Sequence, residues 1–410
     1  MDSALFPEGV SRCSAKKFFL WTLPWILILI WGAVSAVLCL WKALNQTNMS
    51  NIFAFALWIV FDLGLIALGA GAFFTGFLTY IIGKEELKDI INAAVIIGFI
   101  CYSGAMAIVG MDIGQPLRGW FIFWHANIHS MLVEVSFCIT CYLMVLSIEF
   151  LPIILENRKL EEIKPLRLFG KNLHSIMAIF AATGTFLSFF HQGSLGGMFG
   201  VMYARPFAAR GGFYIWPWTF FLFILSAIAA GPCFTILVVK ITEKLTTKKL
   251  VPDNAVQFLA RLSGILLSIY IVLKIADTIS WIHNEVHKAG LTFMDFYRGN
   301  PYGIWLPIAE IGCAIVAAVI LVIPSLRKDP KWLIIASILN CTGVILNRFS
   351  FIVVTLAIPV LPFERFWSYF PTWQEWGLAL ASIAYGVLLF SVAYRYLPVF
   401  PKEKELNPTS

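Results

Sequence analysis

Ten apolar runs follow one another along this chain with only short polar connections between them. Each is close to the roughly 20 residues that carry a helix across a hydrocarbon core. They read as Phe18–Trp41, Ile52–Ile82, Ile90–Met111, Asn127–Ile154, Leu173–His191, Tyr214–Val239, Ala255–Ala276, Tyr302–Ile323, Trp332–Ile358 and Trp373–Tyr396. Only 13% of the 410 residues are charged, about half the share of a soluble globular domain. The expectation is an all-α polytopic integral membrane protein of about ten transmembrane helices. Residues 1–17 precede the first run, which is longer than a signal-peptide core and reads as a retained span. Residues 18–396 form the membrane domain and residues 397–410 a short tail.

Lys and Arg set the expected orientation. Twenty of the thirty fall in loops on the side that carries both termini, seven on the other side (Lys42, Arg118, Arg205, Arg210, Lys288, Arg298 and Arg365), and three within spans. The positive-inside bias puts both termini in the cytoplasm, which an even span count requires, and the protein in the cell membrane. The net charge of +7 is thereby a topology signal and gives no reason to expect nucleic acid. The other side has longer connections, 112–127, 192–213, 277–301 and 359–372, rich in Trp, Phe, Gly, Pro and His. These suit the membrane interface or a docking surface, with lipids as the other contact.

Metal and haem signals are weak. Seven of the eight Cys lie inside apolar runs, where a free thiol is usually a small buried hydrophobe. Cys138 and Cys141 are spaced as in CxxC, but on a helix. The His pairs at 125/129 and 283/287 have i,i+4 spacing, yet the second reads H-N-E-V-H rather than H-E-x-x-H. No His is expected at mid-span, where stacked haems would need axial pairs. The expectation is no metal site, no haem and no iron–sulfur cluster in this chain.

Ionisable groups inside spans are costly and by default mark functional sites. They are Asp62, Glu134, Lys274, Asp277, Glu310 and Arg348, with Asp112, His129 and His191 at outer span ends. Glu149 and Arg261, near inner ends, are expected to snorkel to water. By span direction, Asp112, His129, Glu134, His191 and Gln192 could converge at the outer end of spans three to five; the alternative is that they are separate interfacial residues. Lys274 and Asp277 share a face at the outer end of span seven. With Glu310 and Arg348, and with Asp62 in span two, they read either as a proton path or as structural ion pairs.

Five ordered segments carry a resemblance. Asp112-Ile-Gly-Gln-Pro-Leu-Arg-Gly-Trp is followed by His129-Ser-Met-Leu-Val-Glu-Val, Phe190-His-Gln-Gly-Ser-Leu-Gly, Leu346-Asn-Arg-Phe and Tyr369-Phe-Pro-Thr-Trp-Gln-Glu. Together, over residues 60 to 390, they resemble the NrfD/polysulfide-reductase membrane-subunit family, in its ten-span branch. That branch includes the membrane subunits of hydrogenase-2, of the high-molecular-weight cytochrome complex and of the sulfite-reduction-associated Dsr complex. The last looks closest, from H-S-M-L-V-E-V and overall length. Gln115 and Gly193 stand where the family pattern has Arg and Ser.

The resemblance implies a haem-free subunit of an anaerobic respiratory complex that exchanges electrons between menaquinone or menaquinol and a ferredoxin-like iron–sulfur subunit on the outer face. A multihaem cytochrome c, a haem b membrane subunit and a cytoplasmic iron–sulfur subunit would complete such a complex in sulfur or sulfate metabolism. It places the quinone site in the N-terminal bundle, roughly 52–240, apart from helices 255–396. His129, Glu134, His191, Gln192 and Asp112 are then the expected quinone-binding and proton-exchanging residues, and proton translocation is a further expectation. The rivals from other classes are a secondary transporter or proton channel, which lacks the inverted, broken-helix halves expected of one, and a non-catalytic anchor. Neutralising Glu134 is expected to slow quinone turnover.

Overall fold

A computed structural model describes residues 5–200, 210–213, 216–288, 290–359 and 364–408; Arg205 lies outside the described residues. Among the described residues nine helices are long and apolar enough to cross a membrane, and a bent pair, counted as one span, makes ten. The crossing helices are α1 (Ala15–Lys42), α2 (Leu57–Ile81), α3 (Ile91–Asp112) and α4 (Met131–Leu155). The pair is α5 (Lys164–Ser175) and α6 (Met177–Gly200), bent by 57° at Ile176. The rest are α7 (Trp218–Thr246), α8 (Asp253–Trp281), α9 (Trp305–Val322), α10 (Pro330–Phe349) and α11 (Trp373–Tyr396). Before α7, Gly212–Phe213 pairs antiparallel with Trp216–Pro217.

Span five is corrected most. It was expected to start at Leu173 and end at His191. The segment before Met177 carries exposed Lys164, Arg167 and Lys171 on one side and exposed Leu168 and Phe169 on another. Such an amphipathic helix belongs along the interface, and the chain turns into the membrane only after it. The helix then continues nine residues beyond His191, because His191, Gln192 and Ser194 turn inward and are fully buried. Polar letters that read as a span end are the lining of a bundle. Likewise α8 continues past Asp277, so Lys274 and Asp277 lie within the helix, 9% and 6% exposed. His129 falls before α4 begins. Arg261 is exposed as expected, whereas Glu149 is only 8% exposed.

Helices α2, α3, α4 and α6 form one bundle and α7 to α10 a second, with α7 also packed on α6 and α2. Helices in lipid gain little from hydrophobic burial against each other and rely on close packing and polar contacts. At the bundle junction the backbones nearly touch: a Cβ on Gly231 of α7 would stand 2.1 Å from the backbone N of Gly71 in α2. α1 stands outside both bundles and packs chiefly on α11. There a Cβ on Gly377 would meet Ser35 Oγ at 2.2 Å, and one on Gly32 would meet the Ala381 Cβ at 2.2 Å.

Both termini lie on one end of the molecule, hereafter the terminal face. The Arg12 guanidinium donates to both Glu403 carboxylate oxygens, at 2.5 and 2.9 Å. Arg395 donates to the Cys13 carbonyl at 2.9 Å, Lys402 reaches Asp89 at 2.9 Å, and Asn157 donates to the carbonyls of Tyr396 and Leu5 at 2.7 and 3.2 Å. The described part of the tail and the end of α11 are thus held against the N-terminal segment, the loop before α3 and the loop after α4. A charge-assisted bond to a buried carboxylate contributes about 2 kcal/mol. Arg12→Ala is therefore expected to lower stability by about that much, measured as earlier thermal unfolding in detergent; an unshifted transition would show the latch to be idle.

Candidate functional site

The strongest concentration of unsatisfied polarity lies inside the N-terminal bundle. Buried polar side chains are almost always hydrogen-bonded, so exceptions point to a ligand or to water. Nine described residues hold a buried side-chain N or O without a partner, and five of them, Asp62, Thr75, Asp112, Tyr142 and His191, belong to α2, α3, α4 and α6.

His191 is the sharpest case. It is fully buried, and neither ring nitrogen makes a well-formed hydrogen bond, the Val135 backbone being the one polar group in its reach. Its ring centroid is 5.9 Å from that of Tyr102, and its other flank meets the backbone of Val135 on α4. The Tyr102 hydroxyl shares a 2.8 Å hydrogen bond with Ser188 and accepts one from Gln192 at 3.5 Å. Gln192 also donates to the Ile66 carbonyl at 2.9 Å, which ties α6 to α2. Asp62, 2% exposed, stands one turn before Ile66, with Oδ1 unpartnered and in electrostatic range of Tyr102 and Asp112.

The expected convergence is therefore partial. His191 and Gln192 meet, but nine and eight residues, or about 13 and 12 Å, below the end of α6 rather than at it. Asp112, half-buried at the end of α3, lies toward the face opposite the termini and is within electrostatic range of Glu375 and Asp62. Glu134 is half-buried in the first turn of α4, one residue from Val135. His129 is exposed, its amide held by the Asn127 side chain at 3.1 Å, and is not brought to the cluster. Tyr102, Ser188 and Tyr142 were missed, because only ionisable residues were sought; a hydroxyl at mid-span, as in Cys101-Tyr102-Ser103, was the available signal.

The last motif is a structural clasp beside the site. Glu375, fully buried, accepts from the Tyr369 hydroxyl, from the Thr372 amide at 2.8 Å and from the Asn48 amide at 3.0 Å. The Tyr369 hydroxyl accepts from the Leu57 amide at 3.2 Å, and Trp58 donates to the Glu375 carbonyl at 3.0 Å. The starts of α2 and α11 are so held together above Asp62.

The second polar group is also assembled, with different partners from those its spacing suggested. Lys274 pairs with Glu310 at 3.7 Å, and Asp277 pairs with Arg210 at 3.0 Å. Glu310 accepts from Asn347 at 2.9 Å, and Arg348 donates to Asn347 Oδ1 at 2.7 Å and to Ser226 at 2.9 Å. A narrow cleft lies beside it, lined by Tyr270, Lys274, Glu310 and Asn340 among apolar side chains. Among the described residues no group of three or more His, Cys, Asp or Glu could hold a metal ion.

Comparison with known proteins agrees along the whole chain. Residues 45–359 match the family described as "Polysulphide reductase, NrfD". The chain is 50% identical over 409 residues to the menaquinone reductase integral membrane subunit of Nitratidesulfovibrio vulgaris, covering 99% of this chain and 98% of that one. It is 23% identical over 427 residues to a selenate reductase subunit of Mesobacillus selenatarsenatis, covering 96% and 97%. It is 24% identical over 367 residues to the probable Ni/Fe-hydrogenase 2 b-type cytochrome subunit of Escherichia coli, covering 88% and 87%. The sequence likeness pointed nearest to the Dsr complex, whereas the half-identical relative bears the menaquinone reductase name. With ten membrane-crossing elements, an inward-facing polar cluster and a family match over three-quarters of its length, this chain belongs to the NrfD family of polytopic membrane subunits.

Proposed function

We propose that this chain is the quinone-reactive membrane subunit of a respiratory redox complex, and that its substrate is menaquinone or menaquinol. The observation that carries the reading is the buried, unpartnered His191 among Asp62, Tyr102 and Gln192. The half-identity to a menaquinone reductase subunit over nearly every residue supports it. A quinone carbonyl is a hydrogen-bond acceptor that must receive a proton as it is reduced. A neutral imidazole that donates from one nitrogen and takes a proton on the other suits this task. In this reading Asp62, in electrostatic range of Tyr102, resupplies the proton that His191 gives up. Asp112 and Glu134, closer to the opposite face, are placed to exchange protons or hold the ring, and His129 belongs to the rim.

Electrons come, in this reading, from an iron–sulfur subunit docked on the face opposite the termini. That face is the nearer one to the cluster and exposes Leu117, Trp124 and Ile128, each more than three-quarters accessible. The terminal face is the cytoplasmic one, from the twenty Lys and Arg in its loops. A multihaem cytochrome c, a haem b subunit and a cytoplasmic iron–sulfur subunit are not needed by this reading, which requires one donor only. Photo-crosslinking with an azido-menaquinone tests it. The label is expected on α3 and α6 peptides containing Tyr102 and His191; labelling confined to lipid-facing helices such as α1 would remove the site.

A further inference from the structure

The short helix α5, at the terminal face, has sides that neither the fold nor the quinone reading uses. Its Gly170 and Leu173 are buried against the end of α4, where a Cβ on Gly170 would stand 3.5 Å from the Leu155 Cβ. Lys164, Arg167, Lys171 and His174 are spaced by three, four and three residues, and all are exposed. They therefore follow one face of the helix. Pro165 and Phe169, also exposed, each lie two residues from Arg167 and hence about 200° round the helix from it. One side of α5 is thus held by protein, one flank is basic and the other is apolar. Such a helix lies along a membrane surface, with its cations at headgroup level and its apolar flank against the acyl chains.

Several cations elsewhere on the terminal face are committed to acids: Arg12 and Lys248 to Glu403, Lys249 to Asp253, and Lys402 to Asp89. Among the described residues Lys164, Arg167 and Lys171 enter no ion pair. Of the three acids between α4 and α5, Glu156 pairs with His174 at 2.8 Å and Glu162 with Lys159 at 3.1 Å. That leaves Glu161 against Arg158, Lys164, Arg167 and Lys171, one negative charge against four positive. Topology asks only that cations lie somewhere in the loops of this side. Their alignment on one face of an interfacial helix, with an apolar flank opposite, asks for an anion that also carries chains. Independently of the quinone assignment, we propose that α5 is a binding strip for anionic phospholipid of the terminal-side leaflet. Lys164, Arg167 and Lys171 hold the phosphates, and Phe169 packs on the acyl chains. Each Lys or Arg at an anionic surface strengthens the attraction about fivefold, so three acting together keep such a lipid in place. α5 turns into α6 through a bend of 57°. A headgroup seated on the strip therefore steadies the terminal-face end of the helix that carries His191 and Gln192.

The full-length protein, delipidated in neutral detergent, is titrated with phosphatidylglycerol or phosphatidylcholine in mixed micelles while thermal unfolding is followed. Phosphatidylglycerol is expected to raise the melting temperature saturably, and phosphatidylcholine to leave it where it was. The Lys164→Gln/Arg167→Gln/Lys171→Gln variant should need roughly tenfold more phosphatidylglycerol, or more, for the same shift. Phe169→Ser should weaken the response in the same direction. A control variant, Lys16→Gln/Lys17→Gln/Lys331→Gln, removes three exposed terminal-face cations outside α5 and should respond as the wild type does. A wild-type response in the α5 triple variant, or an equal response to phosphatidylcholine, would overturn the proposal. An equal shift with glycerol phosphate, a headgroup without chains, would assign the strip to a soluble anion, and an equal shift with a polyglutamate peptide would assign it to an acidic protein. Either result would remove the lipid.

Discussion

Replacing His191 with Phe is expected to slow quinone turnover by about two orders of magnitude, at the lower end of what a positioned general acid–base supplies. The complex should still assemble. The reason lies in what His191 lacks. Its ring nitrogens make no well-formed hydrogen bond and reach only the Val135 backbone, so a ring of similar size removes little that holds the fold. Its ring contact with Tyr102 is a matter of shape, which Phe keeps. Stability and turnover are therefore expected to separate: an unchanged elution profile and melting temperature, with quinol formation nearly abolished. Gln192→Leu should behave differently, since Gln192 anchors α6 to the Ile66 carbonyl and both properties should fall. If His191→Phe turned over at the wild-type rate, the imidazole would have no part in the chemistry.

Arg348→Ala is expected to destabilise the fold by about 3–5 kcal/mol, the range for removing one member of a buried charged network. Arg348 is 1% exposed. It donates to Asn347 and Ser226, and its guanidinium carbon lies 3.5 Å from the Phe223 ring centroid. It thereby fastens α10 to α7. Truncation would strand Asn347 Oδ1, loosen the Asn347 contact to Glu310 and open a void between two helices. Arg348→Lys should recover little, because an ammonium on a flexible stem cannot replace a planar fork stacked on an aromatic ring. Unfolding of the purified protein in mixed micelles, followed by helical signal, measures the loss. A change under about 1 kcal/mol would mean that the group is hydrated and loosely held.

The helix count, the placing of both chain ends on one side and most span limits were legible, because each depends on a local quantity. Hydropathy over about 20 residues marks a span whatever it packs against, and Trp373–Tyr396 begins and ends where that pattern says. What stayed hidden depends on which way a side chain points. His191-Gln192-Gly193-Ser194 resembles a helix leaving the membrane, and only the surrounding helices reveal that it faces a shared interior. The same holds for Glu149, whose position near a span end suggests free access to water, and for Lys274, whose neighbour at i+3 turned out to pair with Arg210. His129 differs in the opposite sense: its motif context suggested a buried site residue, and the structure has it exposed, ahead of the helix. Tyr102 and Tyr142 are not singled out from twelve tyrosines by composition or motif; their mid-span position is the one signal the sequence offers. They become conspicuous only when one hydroxyl is seen to have no partner and the other to join two helices.

The pairing of the first helix with the last sets a clock on assembly. α1 leaves the ribosome early, yet the small-residue surface it packs against, Gly377 and Ala381, lies some 330 residues downstream. At roughly 5–20 residues per second that is about 17–66 s of synthesis. Throughout that interval Gly32 and Ser35 face lipid with no helix to meet them, and Arg12 has no Glu403 to grip. The newborn chain therefore carries an unmated helix until its final span is inserted. Any stalled or truncated product keeps that helix single, and a quality-control protease that samples loosely held membrane helices would find an unfinished chain by its beginning.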